Sequence, residues 1–224
     1  MNIDLNEVLR YLGMAFSEEN EKQALAIAAE LEKRIEPAFV WKAFDLQKDA
    51  EHRMVRLAGI GLESGLPALA GETASRMLED CEKAAVLVCT LGFAFERMLA
   101  FEQARDMSCA VILDACGSAY VEAGCDEAEK EIASSFPGYY LSDRFSPGYG
   151  DLNLSLQKEL LSITGADKRL GIHLSDSMLM TPSKTVTAIV GISKTPQRAK
   201  IRGCRFCALK DYCTLRKAGT SCER

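Results

Sequence analysis

Between Lys83 and Thr90 the chain reads Ala84-Ala85-Val86-Leu87-Val88-Cys89 without a polar residue. An apolar run of this length, stopped by Leu91-Gly92, predicts a strand buried on both faces. Phe39–Phe44, rich in aromatic and β-branched residues, predicts a second strand. A different period governs Ala24, Ile27, Ala28, Leu31 and Ile35, which recur as one helical stripe. Ser17 precedes it as an N-cap, Glu18 and Glu19 fill the first turn, and Pro37 ends it. Gly92–Arg105 and Ser108–Ala133 predict two more helices. In the second, Asp114, Ser118 and Glu122 lie four apart and share one side. Leu66–Leu78 reads as a helix with Pro67 in its first turn, and Leu154–Ile163 as a short one. Met178–Met180 and Thr185–Ile192 predict a hairpin across Thr181-Pro182-Ser183. Phe136–Asp151 is loop, dense in Pro, Gly and Tyr. The fold class is α+β: a mixed or antiparallel sheet with helices segregated from the strands.

Composition narrows the class. Of 224 residues, 48% are apolar and 26% charged, the balance of a soluble globular protein. The longest apolar stretch falls far short of the ~20 residues that a membrane span needs. Acids stand near the N-terminus, where a secretory signal would carry basic residues. The expectation is a cytoplasmic protein with no membrane partner.

Cysteine and charge then divide the chain. Cys81, Cys89, Cys109, Cys116 and Cys125 sit singly among apolar neighbours and read as small core residues. Cys204, Cys207, Cys213 and Cys222 instead form C-x2-C-x5-C-x8-C, a four-thiolate set that suits zinc or an iron–sulfur (4Fe–4S) cluster. From Arg198 onward eight basic residues face two acids, so residues 1–197 carry −11 of the net −5. The reading is a body, 1–195, with a basic, Cys-rich, metal-binding tail, 196–224. A zinc knuckle on nucleic acid is the rival for the tail, and the acidic body argues against it.

In the body, Arg144-Phe145-Ser146-Pro147-Gly148-Tyr149-Gly150-Asp151 concentrates binding chemistry. Arg144 offers a planar fork for a carboxylate. Pro147 and the two glycines let backbone approach a ligand, and Tyr149 adds a flat face. A structural turn, with Arg144 capping a helix or meeting Asp151, is the plainer alternative. Asp114 and Glu122 are either partners for an ammonium or the solvated side of their helix. With His52 and His173 the only histidines, no Ser/His/Asp arrangement forms. Ser146 lacks a nucleophile-elbow context, and no phosphate-binding G-x-x-x-x-G-K-[ST] loop occurs.

Several stretches together resemble the reactivation domain of cobalamin-dependent methionine synthase and its free-standing relatives. Arg144–Tyr149 is similar to that family's Arg-x-x-Pro-Gly-Tyr loop. Leu174-Ser175-Asp176-Ser177-Met178-Leu179-Met180-Thr181-Pro182-Ser183-Lys184-Thr185-Val186-Thr187 is similar to its Leu-Thr-Glu-Ser-x-x-Met-x-Pro-x-x-Ser-Val-Ser stretch. Thr90-Leu91-Gly92 and Ile112–Ser118 look like the stand-alone members. The resemblance implies S-adenosylmethionine binding and methyl transfer to the reduced cobalamin of a partner, methionine synthase or a related corrinoid-binding methyltransferase. It implies Arg144 for the ligand's carboxylate, Glu122 for its ammonium, and the backbone of Pro147, Gly148 and Tyr149 for the adenosyl group. The chain departs from the large domains at Gly13, where they carry an acid, and at Ile189-Val190, where they carry Trp-Tyr. It also lacks the Asp-x-His-x-x-Gly pattern that ligates cobalt, so the corrinoid comes from another protein. With that resemblance the tail reads as an electron-transfer 4Fe–4S site fed by a flavodoxin- or ferredoxin-type donor. The alternative is a non-catalytic metal-binding adaptor that docks on a corrinoid protein.

Overall fold

The apolar run at 83–90 is strand β4 (Lys83–Thr90), with all positions after Lys83 buried. It belongs to a computed structural model that describes residues 2–12, 18–49, 51–59, 67–197 and 212. Ahead of it come α1 (Leu5–Leu12), α2 (Glu18–Arg34), β1 (Ala38–Asp49), β2 (Met54–Ala58), β3 (Ala68–Ala70) and α3 (Glu72–Met77). After it come α4 (Gly92–Arg105), α5 (Met107–Ser135), β5 (Tyr140–Leu141), α6 (Leu156–Thr164), α7 (Ala166–Arg169), β6 (His173–Leu174), β7 (Met180–Thr181) and β8 (Thr185–Ser193). Six strands form one sheet in the order β3-β2-β1-β4-β8-β5, and β6 pairs with β7 alone. The ladders β1–β2, β2–β3 and β5–β8 are antiparallel. The architecture is α+β, as the sequence pattern predicts.

The chain divides into two compact units of interleaved sequence. The first takes residues up to Trp41, Leu87–Ile132 and Leu161–Thr187. Its main core joins Ala24, Ala28 and Leu31 of α2, with Ile35 just past its end, to Phe95 and Leu99 of α4 and to the inner face of α5. Small residues let the helices close up. A Cβ on Gly117 would collide with the Phe95 ring, and one on Gly124 would lie 2.7 Å from Pro37. Tyr120 keeps its hydroxyl satisfied in this core by donating to the Ile35 carbonyl at 3.1 Å. A second cluster gathers Val40, Val88, Leu161, Ala166 and Ile172.

The second unit takes Lys42–Val86, Ala133–Leu160 and the residues from Ala188 on. In β2, Val55 and Leu57 are buried and Arg56 is exposed, the alternation of a half-covered strand. Beside it α3 packs Ala74 and Met77 inward.

Strand β4, α2, α4 and α5 fall where the pattern places them, and β1 runs past the predicted Phe39–Phe44 to Asp49. Three expectations are corrected. Phe136–Asp151 is not all loop, because Tyr140–Leu141 within it pairs with Ile192–Ser193 as the edge strand β5. Leu66–Leu78 is not one helix: Ala68–Ala70 pairs with β2, and Gly71 at φ 113 turns the chain before α3 begins. The segment before Pro182 does not pair with β8 either. Strand β8 lies between β4 and β5, so both its edges are taken, and Met180–Thr181 pairs with His173–Leu174 instead. The Ser17 cap and Gly13 lie outside the described residues.

Candidate ligand-binding site

The Arg144 loop is held at three points within the second unit. At its start the Ser142 hydroxyl accepts from the Gly191 N–H at 2.8 Å, and the Ser142 N–H donates to the Gly191 carbonyl at 2.8 Å. Three residues on, Phe145 exchanges both backbone hydrogen bonds with Ile189, at 3.0 and 2.8 Å. Half-buried Arg144 stands between these anchors, beside fully buried Phe145.

The loop then folds on itself. Tyr149 N–H donates to the Ser146 carbonyl at 3.0 Å, Leu152 N–H to Tyr149 at 2.9 Å, and Gly148 N–H to Leu152 at 2.8 Å. Gly148 at φ 92 and Gly150 at φ 56 adopt the left-handed backbone that glycine permits. Pro147 is buried beneath, while Tyr149 stands 55% exposed at the tip.

The third anchor is Asp151. Its carboxylate accepts from the N–H groups of Glu72, at 2.6 Å, and Thr73, at 3.0 Å, which caps α3. The Thr73 hydroxyl and then these two N–H groups hold its carboxyl down at about 2. A Cβ on Gly71 would sit 2.6 Å from that carboxylate, and one on Gly150 would collide with Thr73 Oγ1. Asp151 is therefore committed to α3 and fixes the far end of the loop.

Glu122 lies in the first unit, half-buried on α5. The side of α5 that it shares with Asp114 and Ser118 is not simply solvated. Lys184, only 15% exposed, places Nζ 2.9 Å from Asp114 Oδ1 and donates to Ser118 Oγ at 2.8 Å. Asp114 is thus the partner of an internal cation rather than one held for a ligand. One turn beyond Ser118, Glu122 neighbours Tyr11 of α1. Burial first, and then the Glu122 charge, push the Tyr11 hydroxyl above its ordinary value. Tyr11 lies two residues before Gly13, yet no sequence signal pairs it with Glu122, because 111 positions of chain separate them.

The buried polar atoms with no hydrogen bond among the described residues include Thr187 Oγ1, in the first unit, and Gln157 Oε1, in the second, just after the loop. The sequence pattern does not mark Gln157, whereas Thr187 closes the Leu174–Thr187 stretch that carries the resemblance. No group of three or more His, Cys, Asp or Glu able to hold a metal occurs among the described residues. Cys204, Cys207, Cys213 and Cys222 lie outside them. No helix among the described residues is long and apolar enough to cross a membrane.

No family model matches the chain, and no curated protein matches its sequence. Among solved structures, the chain is similar to the crystal structure of the MetH reactivation domain bound to AdoHcy, at a TM-score of 0.66 and 15% identity. The match covers 98% of this chain and 82% of that one. The likeness, at that identity, is one of fold: an antiparallel curled sheet with helices, in the arrangement of the reactivation domain.

Proposed function

We propose that this chain is an activation component that binds S-adenosylmethionine and delivers its methyl group to the reduced cobalamin of a separate corrinoid methyltransferase, methionine synthase in the first instance. The observation that carries the reading is the triply anchored Arg144–Tyr149 loop, on a fold shared with a domain whose structure holds AdoHcy. AdoHcy is what S-adenosylmethionine becomes once its methyl group has left.

Each residue has a role in ligand chemistry. Arg144 takes the carboxylate of the methionine end through its guanidinium fork. Glu122 takes the ammonium, and the exposed backbone of Gly148, with Pro147 and Tyr149 beside it, holds the adenosyl group. The partner's corrinoid supplies a reduced cobalt that is itself the nucleophile. The chain's work is therefore to position the sulfonium methyl and to keep water away from it. No proton is transferred, so no general base is needed. This fits two histidines engaged elsewhere: His52 Nδ1 lies 2.9 Å from Asp49, and His173 packs on Phe93. Cys204, Cys207, Cys213 and Cys222 complete the proposal as a four-thiolate centre, an iron–sulfur cluster in the electron-delivering form and zinc in a docking form.

The test is a calorimetric titration with S-adenosylmethionine and with AdoHcy. Wild-type protein binds both, and Arg144→Ala weakens each at least tenfold while leaving the circular dichroism spectrum unchanged. A folded wild-type protein that binds neither overturns the proposal and leaves the non-catalytic adaptor.

A further inference from the structure

Helix α4 buries Phe95 and Leu99 in the core, yet its outer side is not polar. Phe93, Arg97, Phe101 and Arg105 follow one another every four residues, and all four are exposed. Phe93 is 42% and Phe101 62% exposed. Such an i, i+4 row is a ridge on the helix surface, here about 18 Å long from end to end. Aromatic and cationic side chains alternate along it.

The row borders a groove of ≈ 570 Å³ whose lining includes Arg34 and Ile35 from α2 and its C-terminal end, with Met98 and Phe101 from α4. Its rim charges are internally matched. Arg34 pairs with Glu30 at 2.6 Å, and Arg105 with Glu102 at 3.0 Å, while the Arg105 guanidinium lies 5.6 Å from the Phe101 ring centre. Arg97 is different: among the described residues it forms no ion pair and no hydrogen bond. The ridge thus presents one unmatched cation between two exposed aromatic rings, the residue types that dominate binding energy in protein interfaces.

We infer that this ridge and groove dock the corrinoid-carrying partner protein, which sets a carboxylate against Arg97 and apolar side chains against Phe93 and Phe101. The inference rests on the proposed function for the identity of the partner. Charge complementarity selects its chemistry. Nucleic acid, which also favours arginine and aromatic rows, is opposed by Glu30, Glu96 and Glu102 around the same surface and by the −11 of residues 1–197. Open and lined by long side chains, the groove suits a protein surface better than an enclosed small ligand.

The probe is the isolated corrinoid-binding fragment of a cobalamin-dependent methionine synthase, loaded with cobalamin and titrated at 50 and 200 mM salt. Arg97→Glu and Phe101→Ala are each expected to weaken the complex at least tenfold, with weaker binding of wild-type protein at the higher salt. S-adenosylmethionine affinity stays unchanged in both variants. If both variants bind the fragment as wild type does, the docking inference is overturned and the ligand reading stands. If wild-type protein binds S-adenosylmethionine but not the fragment, the outcome is the same. Arg97-dependent capture of a duplex oligonucleotide in place of the fragment overturns it in favour of nucleic acid. Docking retained in a chain that binds no S-adenosylmethionine sinks the proposed function instead.

Discussion

Asp151 and Thr73 hold each other from both sides: the Thr73 N–H donates to the Asp151 carboxylate at 3.0 Å, and the Asp151 N–H reaches Thr73 Oγ1 at 3.4 Å. The pair lies 78 residues apart in sequence and ties the end of the Arg144 loop to the first turn of α3. Loop geometry and helix capping are one feature here, which is why Gly71 and Gly150 stand against the same two side chains.

Replacing Asp151 therefore has a pH signature. Its carboxyl is held at about 2 in the folded chain, below the ~3.9 of an unfolded one. A lowered carboxyl contributes stability that is complete above the unfolded value and fades as pH falls from ~4 towards 2. Asp151→Ala removes a cap worth about 1 kcal/mol, or about 2–4 °C of melting temperature for a chain of this size. Thermal unfolding at pH 7 and pH 2.5 checks this: the gap between wild type and variant is wide at pH 7 and narrows in acid. An equal gap at both values removes the ionised cap from the account.

Glu122 carries a second signature, independent of any ligand. Its charge is one of the causes that raise the Tyr11 hydroxyl, after burial. Glu122→Gln is expected to lower the Tyr11 titration without returning it to the ordinary tyrosine value, because burial persists. Ultraviolet titration, with Tyr11→Phe as the subtraction control, reads the shift. The same variant loses affinity for S-adenosylmethionine if Glu122 holds the ammonium. A shifted Tyr11 with unchanged affinity keeps the neighbourhood and removes the ligand role.

The parts of the fold that were legible in the sequence are those where one local pattern dominates. Lys83–Thr90 has no polar interruption, and Gly92–Arg105 opens and closes at punctuation that the structure respects. Failures came where distant partners decide. Leu66–Leu78 has helix-forming residues, but Ala68–Ala70 adds to the edge of β2, and Gly71 must turn to admit Asp151 from far along the chain. Met178–Met180 looks like half of a hairpin until β8 is seen with a strand on each side. At the site the loop was legible because Pro147, Gly148 and Tyr149 are adjacent in sequence. The capture of Asp114 by Lys184 was not, since 70 positions separate the two.

Lys184 and Asp114 should behave as a coupled pair. Lys184 is largely buried, Asp114 is half open to solvent, and Ser118 completes the contact. The carbonyl of Lys184 accepts from the Leu91 N–H at 3.0 Å, so the same residue also joins the ends of β4 and β8. Lys184→Met and Asp114→Asn each lower stability, and the double variant loses less than the sum. The expected coupling is about 0.5–1 kcal/mol, modest because one partner is solvated. Additive losses in chemical denaturation show the contact to be incidental.

The four tail cysteines make the most discriminating prediction. Thiolates at Cys204, Cys207, Cys213 and Cys222 carry up to four negative charges, and the basic residues between them offset that repulsion. Protein purified without oxygen is expected to be brown, with about four irons and matching sulfide per chain, as a cysteine-ligated cluster requires. Cys207→Ser lowers that content and slows reduction of the partner's oxidised cobalamin, but leaves S-adenosylmethionine binding intact because the Arg144 loop is a separate piece of chain. Colourless protein with one zinc that Cys207→Ser releases gives the tail a docking role, and the electron then comes from a separate donor. Cobalamin reduction unchanged by Cys207→Ser in iron-loaded protein removes electron transfer from the tail altogether.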